Sequence, residues 1–238
     1  MHNYKIIVEY EGTNFVGWQR QENGVAVQQL IEDSILKLTN KKTTIFGAGR
    51  TDAGVHAKGQ VASFELEKFV DIDTLRDGLN HYLRPHPIAV ISTEKVNENF
   101  NARFSAKLRW YEYKIINRRP PLTLHKNRAW CIHKKININK IIEQSKFFLG
   151  KHDLSSFRSI NCQSNSTIKT INSINISINE EYINFIISAK SFLHSQVRIM
   201  VGTLVDIGLD KISKPISEII LIKNRDTAGV IAPAHGLY

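Results

Sequence analysis

The order of apolar patterns in the first hundred residues most limits what this 238-residue chain can fold into. Some stretches have the length and composition of strands, and two have apolar residues at helical spacing. In chain order the strand-like runs are Lys5–Tyr10, Thr43–Phe46, Gln60–Leu66 and Ile88–Thr93, and the helical runs are Val27–Leu38 and Asp71–Leu83. The resulting order, strand–helix–strand–strand–helix–strand, is that of a ferredoxin-like unit.

The rest of the chain predicts a second unit of the same class. Lys107–Ile116 alternates as a long strand does, with Arg109, Tyr111, Tyr113 and Ile115 on one face. Further on, the patterns predict a helix over Ile138–Leu149, a hairpin of Ile168–Ile178 with Tyr182–Ala189, a long helix over Phe192–Asp210 and a last helix opened by Pro215. We therefore expect an α+β protein with domains at 1–103 and 104–238, two ferredoxin-like (RRM-like) halves whose antiparallel sheets join across a central catalytic cleft.

Composition narrows the environment and the partners. Thirty-two Lys and Arg against 22 Asp and Glu give a net charge of +10, which favours a polyanionic partner but is also compatible with a general surface bias. Two unpaired cysteines argue against a disulfide framework or a zinc site and favour a reducing cytoplasm. No apolar run approaches the ~20 residues of a membrane span, and the N-terminus has no signal-peptide pattern. We expect a cytoplasmic protein that does not bind a membrane.

One glycine-rich stretch, Phe46–Ala57, is the strongest candidate for chemistry. It has glycines at 47, 49 and 54, and its one acid, Asp52, follows Arg50 by two residues. A nearby arginine favours the ionised carboxylate, but an aspartate in such a loop also commonly caps a turn. Phosphate-loop motifs nearly match here and then fail, because Gln60-Val61 stands where Lys-Ser/Thr is required. The stretch is not a nucleotide cradle.

A second loop, Glu11–Gln21, combines two aromatic residues with a cation. Phe15, Trp18 and Arg20 would suit base stacking and phosphate contact if the rings were exposed. The alternative is that both rings hold the loop against the core.

Six motifs together resemble those of the tRNA pseudouridine synthase A family, over nearly the whole chain. In order, they are Tyr10-x-Gly12 with Phe15-x-Gly17-Trp18-Gln19-x-Gln21, Gly49-Arg-Thr-Asp-Ala-Gly-Val-His-Ala57, Phe100–Ala106 with Tyr111-x-Tyr113, Phe157-Arg158 with Cys162-Gln163-Ser164, Val197-Arg198-x-x-Val201-Gly202, and Ala232-Pro233-Ala234-x-Gly236-Leu237. Departures are Ser195-Gln196, where the family often has His-Met, and a chain that stops at Tyr238.

The resemblance implies a cofactor-free and metal-free isomerisation of uridine to pseudouridine at positions 38 to 40 of the tRNA anticodon stem-loop, by a homodimer. Asp52 would be the catalytic nucleophile, attacking either the sugar or the uracil ring. Tyr111 would stack on the base and take the C5 proton, and Arg198 would pair with Asp52. Arg50 and Arg20 would contact the RNA, because the target base must leave its stack.

Each of these residues also has a simpler interpretation. Tyr111 alone would be a half-buried strand aromatic, Arg198 a helix-surface cation, and Trp110 and Trp130 core residues. Two other functional classes compete with the synthase. An RNA-binding module without catalysis would explain the basic charge, and a glycosidase would require a second carboxylate about 5–10 Å from Asp52.

Overall fold

The computed structural model describes residues 1–160, 162 and 164–238, so Gln163 of the fourth motif lies outside the described residues. The chain forms two compact units, Met1–Ala106 and Lys107–Tyr238.

The first unit has the predicted ferredoxin-like order. Its elements are β1 (His2–Tyr10), α1 (Val27–Thr39), β2 (Phe46–Gly47), β3 (Ala57–Leu66), α2 (Ile72–Leu83), β4 (Ile88–Val96) and the short α3 (Ala102–Ser105). The four strands form one sheet in the order β2-β3-β1-β4, with every pair antiparallel. Asp71 is the N-cap of α2, since its side chain accepts hydrogen bonds from the backbone N–H groups of Asp73 and Thr74.

The core of this unit follows from the two periodicities. Alternate residues of the central strand β1 are buried, and so are residues three or four apart on the two helices. These residues are Tyr4, Ile6, Val8 and Tyr10 on β1, Val27, Ile31 and Ile35 on α1, and Leu75, Leu79 and Leu83 on α2. One apolar face of the sheet and one stripe of each helix thus make a single core.

The second unit is built on a five-stranded sheet. Its elements are β5 (Arg109–Asn117), β6 (Trp130–Ile132), α4 (Ile138–Ser145), β7 (Gly150–Asp153), β8 (Ile168–Asn179), β9 (Tyr182–Ala189), α5 (Gln196–Gly208) and α6 (Ile216–Ile222), with 3₁₀ turns at Lys146–Phe148, Ser155–Phe157, Arg225–Thr227 and Ala234–Gly236. The strand order is β6-β5-β9-β8-β7. The expected antiparallel pairing holds for every pair of this sheet except one, since β6 pairs with β5 in parallel. The mixed sheet leaves the α+β class unchanged.

Helix α5 is shorter and more deeply buried than its apolar stripe predicts. It begins at Gln196 after Ser195, whose φ is +56°, and every residue of the helix except Arg198 is buried. Two glycines allow this burial. The backbone at Gly202 lies directly against the carbonyl of Val230, and a Cβ on Gly208 would come within 2.8 Å of Ile136 and Ile141. A helix buried on nearly all sides is the centre of its unit.

Two further expectations need correction. Trp110 is not in the core: its side chain is 59% exposed, on the face of β5 opposite to the buried Tyr113. Pro215 precedes the first residue of α6 and so occupies the N-cap position instead of the first helical position.

Candidate active site

The glycine-rich stretch leaves the edge of the first sheet and remains tied to it. Gly47 pairs with Ala62 at the end of β2, the N–H of Ala48 donates to the carbonyl of Val61 (2.8 Å), and Nε2 of Gln60 donates to the carbonyl of Gly49 (2.7 Å). These bonds fix the first turn of the loop against β3, so the chain reaches Asp52 from a rigid support.

The second glycine-containing loop lies directly beneath the first. The N–H of Trp18 donates to the carbonyl of Thr51 (3.2 Å), and the N–H of Gly54 donates to the carbonyl of Phe15 (3.3 Å). Between them, the hydroxyls of Tyr10 and Thr51 are 2.8 Å apart. Asp52 is therefore bracketed on both sides by bonds to residues 10–18.

Phe15 and Trp18 hold these loops on the core. Their exposed fractions are 5% and 3%, so neither ring is available to stack on a base. The interpretation of the two rings as anchors is confirmed. Sequence alone left this choice open, because spacing does not say which way a loop aromatic points.

Gly17 makes the close approach of the two loops possible. Its φ is +114°, and a Cβ at this position would be 2.5 Å from the carbonyl oxygen of Thr51. Only glycine adopts this conformation without strain and leaves that space empty.

His56 closes the loop and was missed by the sequence reasoning. Its ring is 2% exposed, and Nδ1 accepts a hydrogen bond from the backbone N–H of Gly12 at 2.9 Å. Oε1 of Glu11 is also 3.7 Å from Nδ1, but the shorter contact requires an Nδ1 that carries no proton. A histidine four residues after the aspartate in a glycine loop was the available signal.

Asp52 is half-buried at the centre of this framework. Its carbonyl accepts from the N–H of Val55 (3.2 Å), which bends the chain back toward the buried Val55 and His56. Asp52 is thus held, half-buried, in a rigid double loop between the exposed Arg50 and the buried His56.

The two arginines proposed to contact RNA differ in their surroundings. Arg50 is exposed. Arg20 lies 3.3 Å from Glu32 and 3.5 Å from Asp33, both on α1, and its side chain is 52% exposed. The structure therefore places Arg50 on the aspartate loop and holds Arg20 against the first helix.

In the second unit, Tyr111 and Tyr113 share a face of β5 but not an environment. Tyr111 is half-buried, with its ring edge-on to Phe192 at 5.2 Å between centroids. Tyr113 is completely buried, and its hydroxyl donates to the carbonyl of Pro233 at 2.8 Å. Burial raises the pKa of the Tyr113 phenol far above its usual value, against a smaller opposing effect of Arg198. Tyr113 is a structural residue, whereas Tyr111 is only half-buried.

Arg198 is positioned by the C-terminal segment. Nε donates to the carbonyl of Ala232 (2.8 Å), and the N–H of Ala232 donates back to the carbonyl of Arg198 (3.1 Å). Gly236 lies against the ring of Tyr113. The structure thus brings Arg198, Tyr113 and the C-terminal segment together. From the sequence, this segment was recognised only as a motif that resembles the family's.

The described residues show neither a metal-binding cluster nor a membrane-spanning helix. They contain no cluster of three or more His, Cys, Asp or Glu side chains able to hold a metal ion. Within the same residues, no helix has the length and apolar character needed to cross a membrane.

Comparisons with known proteins agree on one family. A family model described as tRNA pseudouridine synthase matches residues 6–105 and 145–238. Three relatives share the same description, tRNA pseudouridine synthase A. The chain is 51% identical to that of Ehrlichia chaffeensis over 237 residues (99% of this chain, 97% of the relative), 49% identical to that of Anaplasma phagocytophilum over 238 residues (99% and 97%), and 45% identical to that of Parvibaculum lavamentivorans over 239 residues (100% and 97%). Asp52 and Arg198 lie inside the matched ranges of the family model, and Tyr111 lies between them.

Proposed function

This chain belongs to the tRNA pseudouridine synthase family, and from that premise we propose that it converts uridine to pseudouridine at positions 38, 39 and 40 of the tRNA anticodon stem-loop, with Asp52 as catalytic nucleophile. The chain is an isomerase that acts on tRNA, so the two competing classes, an RNA-binding module without catalysis and a glycosidase, are set aside.

The observation that carries the proposal is the support of Asp52. Hydrogen bonds with Trp18, Tyr10 and Gly12 fix Thr51 before it and His56 after it, and Asp52 itself is half-buried between them. An aspartate that served only to cap a turn would not need a second loop and a buried histidine to hold it. A nucleophile needs this rigidity, because small displacements from the reacting geometry are costly.

The reaction needs few groups. Asp52 attacks the target nucleotide and the N1–C1′ bond breaks, which releases uracil within the site. After the base rotates, C5 bonds to C1′ and the bond between Asp52 and the nucleotide breaks, which restores the carboxylate. The C5 proton passes to a base, and N1 takes up a proton. The sum is an isomerisation with no change in mass or redox state, so it requires no cofactor.

Tyr111 is the proposed base for the C5 proton. Tyr111 is half-buried and its ring is held edge-on by Phe192, whereas the hydroxyl of Tyr113 on the same face is buried and donates to the carbonyl of Pro233. We propose that Arg198 pairs with Asp52 and stabilises the ionised form of its carboxylate. The bond from Nε of Arg198 to Ala232 uses one of the five donors of its guanidinium, and this bond orients the group.

Arg50 and Arg20 are the proposed RNA contacts. Arg50 extends from the aspartate loop and is exposed, which suits a phosphate next to the flipped nucleotide. Arg20 would offer a phosphate the exposed part of a guanidinium that α1 already orients.

We also propose that the enzyme is a cytoplasmic homodimer. The resemblance to the family supports both statements. Trp110, exposed on the outer face of the second sheet, shares this face with the exposed Ile186, which lies opposite Glu112. Sedimentation analysis of the parent protein and of Trp110→Lys tests the assembly, and a monomeric parent would contradict it.

The test of the function is position-mapped conversion of uridine in a tRNA transcript, for the parent and for Asp52→Asn. The substitution is nearly isosteric, but an amide cannot act as nucleophile, so we expect no product with nearly unchanged RNA affinity. Asp73→Asn is the matched control, because Asp73 is an exposed acid on α2 with no proposed part in RNA binding. Pseudouridine at positions other than 38 to 40 would refute the site assignment. Product formation by Asp52→Asn near the parent rate would refute the role of Asp52.

A further inference from the structure

The most basic stretch of the second unit contains the connection between β5 and β6, strand β6 itself and the three residues that follow it. Residues 118–135 contain six arginines or lysines, two histidines and no acid. The stretch lies between the two ranges matched by the family model. None of its side chains has a part in the chemistry described above.

The parallel pairing of β5 and β6 brings the two ends of this stretch together. Asn117 pairs with Ile132 in register, so the residues after both strands emerge at the same end of the sheet. Nδ2 of Asn117 donates to the carbonyls of Ile132 (2.8 Å) and Lys134 (2.7 Å), and Nδ1 of His133 lies 2.9 Å from the carbonyl of Arg119. We call the resulting surface of Arg119, His133, Lys134 and Lys135 the basic edge.

The charges of the basic edge are not neutralised by the acids around it. Arg118 forms an ion pair with Glu181 (2.8 Å), and Lys140 forms one with Asp210 (2.6 Å). Among the residues that the structure describes, Arg119, Lys134 and Lys135 make no ion pair, and all three are exposed. A groove of about 560 Å³ runs beside the two lysines and is lined in addition by Asn137, Asn139 and Asp210.

We propose that the basic edge binds phosphates of the tRNA backbone at a distance from the nucleotide that reacts. Asn117 follows Tyr111 by six positions on β5, and at ~3.3 Å per residue the basic edge lies about 20 Å from Tyr111. The inference rests on the proposed function, which places the target nucleotide beside Tyr111. Contacts of lysine and arginine to phosphates position a nucleic acid without reading its sequence. The amides of Asn137 and Asn139 suit the neighbouring sugar hydroxyls.

RNA fits this surface better than an acidic protein does. The three cations are exposed on an edge beside a groove, a shape that accommodates a continuous chain of phosphates. A protein interface would usually have an apolar centre and few charged residues there, whereas three of the nine residues that line this groove, Lys134, Lys135 and Asp210, are charged. The basic edge is a positioning surface, which binds the tRNA without touching the reacting atoms.

The experiment compares Lys134→Gln/Lys135→Gln with Lys146→Gln/Lys151→Gln. Both double variants remove two exposed lysines of the second unit. We measure the Kd for a full-length tRNA transcript at several salt concentrations, and the single-turnover rate at saturating enzyme. For the basic-edge variant we expect a Kd raised about tenfold at ~0.1 M salt, a salt slope less steep by about 2, and an unchanged saturating rate. The control should keep the parent Kd and slope.

Equal slopes and Kd values in the two variants would overturn the proposal. So would unchanged tRNA binding together with weakened binding of polyglutamate, which would assign the surface to an acidic protein partner. The binding measurement is independent of catalysis. A parent enzyme that formed no pseudouridine at positions 38 to 40 would refute the proposed function and would leave this comparison of affinities interpretable.

Discussion

The backbone N–H of Gly12 donates a hydrogen bond to Nδ1 of the buried His56, and this 2.9 Å bond joins the two loops that frame Asp52. The bond is buried, and the backbone of Gly12 lies directly against the carbonyl of Val55. The geometry of the aspartate loop therefore depends on a residue more than forty positions earlier in the chain.

Substitutions of His56 separate the hydrogen bond from the packing of the ring. His56→Phe keeps a ring but leaves the Gly12 N–H without its acceptor, at a cost of about 1–3 kcal/mol. His56→Asn loses the ring but offers an amide oxygen. We expect the Phe variant to lose more free energy of unfolding and more single-turnover activity than the Asn variant. Urea unfolding and single-turnover assays check this, and the reverse order would show that the ring matters for packing alone.

Gly17→Ala should disrupt the same framework. The new Cβ would meet the carbonyl of Thr51 at 2.5 Å, and the φ of +114° is strained for any residue with a Cβ. We expect a loss of at least about 1–3 kcal/mol in the free energy of unfolding and a large loss of activity. Gly59→Ala is the control, because its Cβ would make only an ordinary contact of 3.6 Å with Ile7. Equal effects of the two substitutions, measured by thermal unfolding and turnover, would contradict the assignment.

Tyr111→Phe should separate binding from the completion of the reaction. The ring that stacks on the base remains, so RNA affinity should change little. Product formation should fall by at least the ~10²-fold typical of a lost acid–base group. Release of tritium from C5-labelled uridine in a single turnover, measured beside filter binding, tests both parts.

Tyr113→Phe is the internal control for that experiment. The buried hydroxyl of Tyr113 donates a hydrogen bond to the carbonyl of Pro233, so its removal should lower the free energy of unfolding by about 0.5–1.5 kcal/mol. Its effect on proton release should be small, because burial keeps this phenol protonated. Equal catalytic defects in the two variants would show that Tyr111 is not the base.

Asp153 should make stability depend on pH in acid. Hydrogen bonds from Ser155, followed by those from Thr167 and Lys223, lower the pKa of Asp153 to about 2. A lowered pKa in the folded state stabilises the protein above the ordinary aspartate pKa of ~3.9, and this stability is lost as the pH falls toward 2. Since the group is partly solvated, we expect a contribution of order 1 kcal/mol. Chemical unfolding between pH 5 and pH 2 should show a smaller decrease for Asp153→Asn than for the parent, and identical curves would contradict this.

Local periodicity was sufficient for most of the fold. Three predicted elements are confirmed within a few residues: the strands Tyr182–Ala189 and Gln60–Leu66 and the helix beginning at Val27. Each buries one face, and the spacing of its apolar residues therefore reveals its structure. The full burial of α5 and the parallel strand β6 were not predictable in this way. A helix enclosed on all sides and a three-residue edge strand have no distinctive periodicity of their own.

The sequence by itself determined the class of the fold, the family and the loop that presents Asp52, because these depend on residue types at fixed spacings along the chain. Only the tertiary structure decided that Phe15 and Trp18 face inward, that Trp110 faces outward, and that Tyr113 is fully buried while Tyr111 is half-buried. The direction in which a side chain points depends on which distant segment packs beside it. Gly12 with His56 and Arg198 with Ala232 are such pairings, and 44 and 34 positions of sequence separate their members.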